Sequence, residues 1–288
     1  MRLLIYELSY STNSEDSLAQ AGITMFHSLR KAFSTMPEVQ ILTVEPGEHQ
    51  HLNPEDSLRL ALEQCDTALI VAPECNDTLL HLTQVAESMQ KRILCSPSAA
   101  IALSSDKRAC LDHWRQLGLP TPHTILWHEG VQREPGFNLA PPFVLKPNCG
   151  AGGENTAKIN DIKELDFVSV EGESYILQEY IEGEALSVSC LVRDEEVTPI
   201  SLNRQYMEKN GFTCDSVEII EDDPREAELF DLAREACSAI PHLRGLVGVD
   251  LLYGSQGPVL MELNARITLA FPAMSSDMQR DVVRFLLS

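Results

Sequence analysis

The serial order of apolar segments changes near Pro141, and that change limits the architectures open to the chain. Before it, strand-like and helix-like stretches alternate: Leu3–Tyr6, a helical Ser17–Phe33, Val39–Val44, Thr67–Ala72, a helical Asp77–Gln90, and Arg92–Cys95. Alternation of this kind predicts a parallel sheet with crossover helices. A capped helix start at Ser104-Ser105-Asp106 follows, and Gly118-Leu119-Pro120 ends that helix. After Pro141 strands succeed one another, at Phe143–Pro147, Tyr175–Tyr180, Ala185–Arg193 and Val197–Ser201, which predicts antiparallel pairing. A helix near Arg225–Ala239 then precedes the two strands of GLVGVDLLYGSQGPVLMELNAR. With 288 residues, 44% of them hydrophobic, the chain can bury a sizeable core divided over two or three compact units. The first turn, Glu7 to Asn13, has no glycine, so the dinucleotide-binding fingerprint of a nicotinamide enzyme is missing.

Charge narrows the partners. The 22 lysines and arginines stand against 43 aspartates and glutamates, a net charge of −21. A surface of that sign repels polyanions and argues against nucleic acid or an acidic membrane as a partner. It does not exclude a phosphorylated small ligand, which a few placed cations, backbone donors and a metal can hold. No apolar run approaches the roughly 18–20 residues that span a bilayer, and the opening MRLLIYELSYSTNSED lacks the core of a signal peptide. A cytoplasmic location is therefore expected. Cys65, Cys75, Cys95, Cys110, Cys149, Cys190, Cys214 and Cys237 are scattered without a Cys-x-x-Cys pair, so neither a disulfide framework nor a thiolate zinc site is indicated.

The last strand pair carries the most chemistry. In Val259–Asn264 the two-residue repeat of a strand puts Glu262 and Asn264 on one face, with Met261 and Leu263 turned toward the core. Gly254 to Pro258 reads as the hairpin connection, and a five-residue loop there sets Asp250 opposite Glu262. Three oxygen donors on a rigid hairpin suit Mg²⁺, whose shell is completed by water and substrate phosphates. The solvated outer face of a hairpin is the alternative. Lys146 shares a strand face with Val144 and immediately precedes the glycine-rich Cys149-Gly150-Ala151-Gly152-Gly153-Glu154, where an ammonium can meet phosphates covered by backbone N–H groups. In a Walker P-loop the lysine follows the glycines instead, and an ordinary turn is the competing explanation.

Taken in order, these segments resemble the ATP-grasp superfamily of carboxylate ligases. SSDKRACLDHWRQLGLPTP is similar to the stretch with the first nucleotide-contacting lysine, here Lys107, and the helix leading into the small subdomain. FVLKPNCGAGGENT resembles the second lysine, Lys146, and a flap that includes Gly150, Gly152 and Gly153. LQEYIEGEALSVSCLV resembles the interdomain strand, which implies that Gln178, Glu179, the backbone at Tyr180 and Ile181, and Glu184 hold adenine and ribose. MELNARIT resembles the metal strand, which implies Glu262 and Asn264 as ligands, Asp250 as their partner, and Arg266 reaching the transferred phosphate. YELSY, AGITMFHSLRKAF, TALIVAPECNDTLLHLTQ and LNRQYM narrow the resemblance to the branch of small single-chain ATP-grasp proteins that includes tyramine-glutamate ligase of methanofuran synthesis. The chain departs from that branch in having Ala265 between Asn264 and Arg266, in lacking a glutamate before Gly22, and in a short flap.

The resemblance implies an ATP-grasp fold of mixed α/β and α+β class. Its parts are an N-terminal doubly wound parallel α/β domain at 1–103, a small lid subdomain with its leading helix at 104–180, and a C-terminal antiparallel-sheet domain with the metal site at 181–288. ATP and Mg²⁺ are the implied cofactors, with Mn²⁺ as a substitute, and small-molecule carboxylate and amine substrates are the implied partners, with a homodimer as one assembly. Amide formation through an acyl phosphate would use Arg266, Lys146 and Arg204. Asn203 and Arg204 are expected to face the acceptor cleft, the alternative being a structural turn with a solvated arginine. Glutamate joined to a small amine in furan- or pterin-type one-carbon cofactor synthesis is the leading reading. A bicarbonate-activating enzyme and a nucleotide-binding regulator without turnover are the alternatives.

Overall fold

The computed structural model describes residues 1–127, 140–167 and 174–288. The unit expected at 104–180 therefore includes stretches outside the described residues. Strands β1 (Arg2–Glu7), β2 (Gln40–Leu42), β3 (Thr67–Val71) and β4 (Arg92–Ile93) form a parallel sheet in the order β2-β1-β3-β4. Every residue of β3 is buried, as befits a central parallel strand covered on both faces. A single helical turn, α1 (Leu8–Thr12), follows β1, and α2 (Ala19–Phe33), α3 (Pro54–Glu63) and α4 (Thr78–Ser88) are the crossovers. Strand order reverses between β1 and β3, so the carboxyl ends of those strands border a crevice of the kind that holds ligands in open α/β sheets. Helix α3 is absent from the alternation read off the sequence. Its start is nonetheless well marked, by Asn53 accepting the Asp56 N–H, by Pro54 in the first turn and by Glu55 and Asp56 on the positive end of the dipole.

Helices α5 (Ser98–Ser105) and α6 (Lys107–Gln116) meet at Asp106, whose carboxylate accepts the Ala109 N–H at 2.8 Å. The helix start expected at Ser104–Asp106 is thus a joint between two helices. Beyond it lies an antiparallel sheet in the order β5-β8-β6-β7, built from β5 (Thr124–Trp127), β6 (Phe143–Pro147), β7 (Ala157–Ile159) and β8 (Tyr175–Glu179). This sheet has its own small core around Phe143, Leu145 and Leu177. Helix α6 instead packs Cys110, Leu111 and Trp114 into the main core.

The third sheet is antiparallel in the order β11-β10-β9-β12-β13, from β9 (Gly183–Arg193), β10 (Glu196–Met207), β11 (Cys214–Ile220), β12 (Gly245–Gly254) and β13 (Gly257–Asn264). Helix α7 (Glu226–Ser238) packs Leu229, Ala233 and Ala236 into a core shared with the first sheet, and α8 (Ala270–Ala273) and α9 (Ser276–Leu287) finish the chain. The architecture is the expected one: doubly wound α/β, small antiparallel subdomain, antiparallel C-terminal sheet. Cysteines are free, with Cys65, Cys95, Cys110, Cys190 and Cys237 buried. Among the described residues no helix is long and apolar enough to cross a membrane.

Asp250 does stand opposite Glu262, but not through a five-residue loop. Gly254 pairs with Gly257, which leaves a two-residue turn and by itself would set Asp250 against Met261. A bulge between Asp250 and Leu251 restores the pairing, since Leu251 faces Leu260 while Asp250 faces Glu262. Met261 is the extra residue. The expectation that it points into the core is corrected: it is partly exposed and lines a cavity beside Glu262.

Candidate active site

Two cavities open on either side of one wall. The first lies between the second and third sheets and is lined by Lys107, Val144, Lys146, Gln178 to Gly183, Leu252 and Met261. The second lies between the third sheet and the carboxyl edge of the parallel sheet, and is lined by Glu7, Gly22, Met25, Val71, Ser187, Asn264 and Arg266. Gly152, Gly153, Gln205, Met207, Phe212, Asp250 and Glu262 border both. The partition is therefore the glycine-rich loop together with the carboxylate hairpin.

Lysines enter this wall from two elements. Lys107 opens α6, and its Nζ donates to the Gly150 carbonyl at 2.7 Å and pairs with Glu262 Oε2 at 3.2 Å. Burial alone would lower its pKa, yet Glu262 and then Glu74 outweigh that and hold it above the ordinary lysine value. Among the described residues Lys146 has no such direct pair: burial pushes it down to about 8, against the pull of Glu262 and with the help of Lys107. Asn148 sets the spacing between the two elements. Its carbonyl accepts the Lys107 N–H at 3.1 Å, its Oδ1 accepts the Arg108 N–H at 2.9 Å, and its Nδ2 donates to Asp106 at 2.9 Å.

Asp250 accepts Gln205 Nε2 and Asn264 Nδ2, each at 3.0 Å. Burial and the like charge of Glu262 push its pKa up to about 7. Glu262 moves the other way: burial raises it, but Lys107 and Lys146 together bring it below the usual carboxylate value. The facing carboxylates and the Asn264 amide are hard oxygen donors, and a divalent cation between them would relieve their repulsion, so the set fits Mg²⁺. Among the described residues no group of three His, Cys, Asp or Glu side chains gathers to hold a metal. Mg²⁺ takes one or two carboxylates and leaves its other positions to phosphate and water.

Arg266 faces the second cavity, where its guanidinium is held by Glu74 through Nε to Oε1 and Nη2 to Oε2, both at 2.8 Å. Glu74, Gln205 and Glu182 were not singled out from the sequence. Glu74 lies just beyond the carboxyl end of β3, where the edge rule for parallel sheets could have marked it.

Gln178, Glu179, Tyr180 and Ile181 all line the first cavity. Gln178 is fully buried and donates to Thr124 Oγ1 at 2.9 Å, while Glu179 accepts the His123 N–H at 3.2 Å. Glu184 does not line it. Gly183 and Ala185 face the cavity, so strand alternation sends Glu184 to the other face of β9, where it pairs with Arg204 and Arg225 at 2.7 Å each. Glu182, one step before the strand, lines the cavity instead. The placement of Arg204 in the acceptor cleft is corrected for the same reason: it shares Glu184's face, and its neighbour Gln205 borders both cavities. Asn203 is fully buried, with its amide satisfied by Ser187, Ser189 and Ser201, and serves the packing beneath the wall. The Cys149 thiol is pushed up to about 11, by burial and then by Asp106 and Asp77, which favours its neutral form.

Gly152 and Gly153 have φ of +66° and +72°, and each packs closely against another element, Gly152 against Leu18 and Gly153 against the Phe212 backbone. Ser17 donates to Glu154. The loop is thus held between the parallel-sheet domain and the β10–β11 connection.

Sequence and structure comparisons show the family and the fold. The ATP-grasp domain profile matches residues 104–270, and the pre ATP-grasp 3 domain profile matches residues 29–101. Tyramine–L-glutamate ligase of Methanocaldococcus jannaschii is 29% identical over 283 residues, covering 92% of this chain and 82% of that protein. The enzyme of the same name from Methanocaldococcus fervens is 26% identical, over 96% of this chain and 90% of its own length. The crystal structure of a putative ATP-grasp superfamily protein from Archaeoglobus fulgidus superposes with a TM-score of 0.77 at 27% identity, covering 98% of this chain and 88% of that one. With the domain profile spanning more than half of its length and ligases among its relatives, this chain belongs to the ATP-grasp family of ligases.

Proposed function

We propose that the first cavity takes ATP, that Asp250, Glu262 and Asn264 hold Mg²⁺, and that the second cavity takes a small carboxylate substrate and an amine. The observation that carries this reading is the shared wall: the flap and the Asp250–Glu262 pair border both cavities, so a γ-phosphoryl group and a carboxylate can meet across it. A substrate carboxylate oxygen bonds to the γ-phosphorus as the bond to the ADP oxygen breaks. The amine nitrogen then bonds to the acyl carbon, phosphate departs with its oxygen, and the nitrogen loses a proton. Lys107 and Lys146 balance charge on the moving phosphoryl group, and Arg266 faces it from the other cavity. Bound Mg²⁺ supplies further charge neutralisation there.

Glutamate is the proposed acid and a small amine such as tyramine the proposed acceptor, on the likeness to the two Methanocaldococcus ligases over nearly the whole chain. The division into 1–103, 104–180 and 181–288 belongs to the same proposal and is supported by the separate core of the small sheet. A coupled ADP assay across amino acids and amines, with L-glutamate plus tyramine included, tests it. ADP release that requires both an acid and an amine is expected. Release with bicarbonate and no amine, or with no second substrate, would reject the reading.

A further inference from the structure

Glu7 has no part in the reaction as proposed, yet it is built into the substrate cavity. It ends β1 at the carboxyl edge of the parallel sheet, beside the point where strand order reverses. The residue is 2% exposed and lines the cavity. Its Oε2 accepts the Tyr10 N–H at 2.8 Å; burial raises its pKa above the usual carboxylate value, against the Tyr10 and Ser9 N–H groups, which favour the charged form. Among the described residues the ion pair on this side of the cavity is that of Glu74 with Arg266, and Glu7 forms none. Capping a one-turn helix does not explain such a residue, since Ser, Thr, Asp or Asn cap without burying a long carboxylate away from water.

The neighbouring helix is shaped around this group. Gly22 of α2 lies flat against it, and a Cβ there would come within 2.7 Å of Glu7 Cδ. Leu18, Met25 and Val71 line the same cavity. Arg266 lines the same cavity and attracts Glu7 without pairing with it, so this buried carboxylate, which among the described residues is hydrogen-bonded by backbone N–H, is placed to receive a cation from the cavity.

Resting on the ligase reading, we propose that Glu7 binds the non-reacting ammonium group of the acid substrate, which makes that substrate an amino acid rather than a plain carboxylic acid. The attacking amine does not suit this position, because a nitrogen held against a buried carboxylate stays protonated and has no free electron pair for the acyl carbon. Glu7 stands on the parallel-sheet side and Asp250 with Glu262 on the opposite side, so an amino acid anchored at one end presents its other end to the phosphoryl position.

The test compares L-glutamate with glutarate, the same dicarboxylate without the ammonium, in ADP release by the whole protein with MgATP and tyramine. Wild-type protein should prefer glutamate. Glu7→Gln keeps an acceptor for Tyr10 and so keeps its melting temperature, but it should raise KM for glutamate roughly 10- to 100-fold, as loss of a charged hydrogen bond does, with KM for glutarate and ATP unchanged. Gly22→Ala, which displaces the carboxylate, should reproduce the selective loss. An equal rise for both acids, or lower thermal stability with the preference intact, assigns Glu7 to structure and overturns the proposal. Turnover with an unaltered preference sinks this assignment alone, whereas no turnover of glutamate with any amine sinks the glutamate reading and the assignment together.

Discussion

Glu74 and Arg266 form a two-point ion pair, 2.8 Å at each contact, between the loop after β3 and the turn after β13. Both side chains are largely buried, at 8% and 12% exposure, and the pair ties the parallel-sheet domain to the carboxylate hairpin. Removing one partner leaves the other charge desolvated, so Glu74→Ala should cost about 3–5 kcal/mol of stability in urea unfolding. It should also cost about 10²-fold in turnover through misplacement of Arg266. The Glu74→Ala/Arg266→Ala double variant should lose less stability than the two single losses summed. Strict additivity would mean that the two residues act independently.

Lys146 gives the site a pH signature. Its folded pKa of about 8 lies below the ordinary 10.5, so between these values the unfolded chain holds a proton that the folded chain has shed. For the ligand-free protein this group therefore adds stability as pH rises above about 8, and below it the buried charge is carried at a cost. ATP binding should run the other way, since phosphates favour the ammonium. Calorimetry in buffers of different ionisation enthalpy should show proton uptake on ATP binding above pH 8 and little well below it, and Lys146→Met should abolish the difference. Buffer-independent heats above pH 8 would place Lys146 away from the phosphates.

How much of this was legible in the sequence depends on distance along the chain. The parallel and antiparallel halves follow from local periodicity, and the Lys146 strand and its glycine loop are contiguous. The Asp250–Glu262 pairing was anticipated with the wrong loop length, because the Met261 bulge supplies the residue that a longer loop would have supplied. Glu184 and Arg204, which the resemblance assigns to the site, lie on the other face of their strands, and nothing local says which face of β9 or β10 meets the cavity. Glu74 and Arg266 are 192 residues apart, and no local pattern joins them.

Glu262 is the residue on which most of the charge in the wall depends. It pairs with Lys107 at 3.2 Å, supports the ammonium of Lys146 and raises the pKa of Asp250. Glu262→Gln should leave the circular dichroism spectrum unchanged and lower turnover by roughly 10²- to 10³-fold. The Mg²⁺ concentration for half-maximal rate should rise as one anionic ligand is lost. Wild-type turnover and Mg²⁺ dependence in this variant would remove the hairpin from the proposed metal site.

The flap offers the last test, because its glycines are required in two separable ways. At φ +72° a side chain on Gly153 is strained by about 1–2 kcal/mol. A Cβ there would also lie 2.6 Å from the Phe212 carbonyl carbon and 3.0 Å from Thr213 N, so Gly153→Ala displaces the loop from the β10–β11 connection that holds it. Amide exchange across residues 147–156 should then quicken, and an ATP analogue with Mg²⁺ should restore less protection than in the wild type. If closure keeps water from an acyl phosphate, this variant should release more ADP than it forms amide, whereas the wild-type ratio stays near one. Slower turnover with the ratio unchanged would show that the loop positions phosphate without excluding water, and exchange equal to wild type would reduce Gly153 to a residue of a fixed turn.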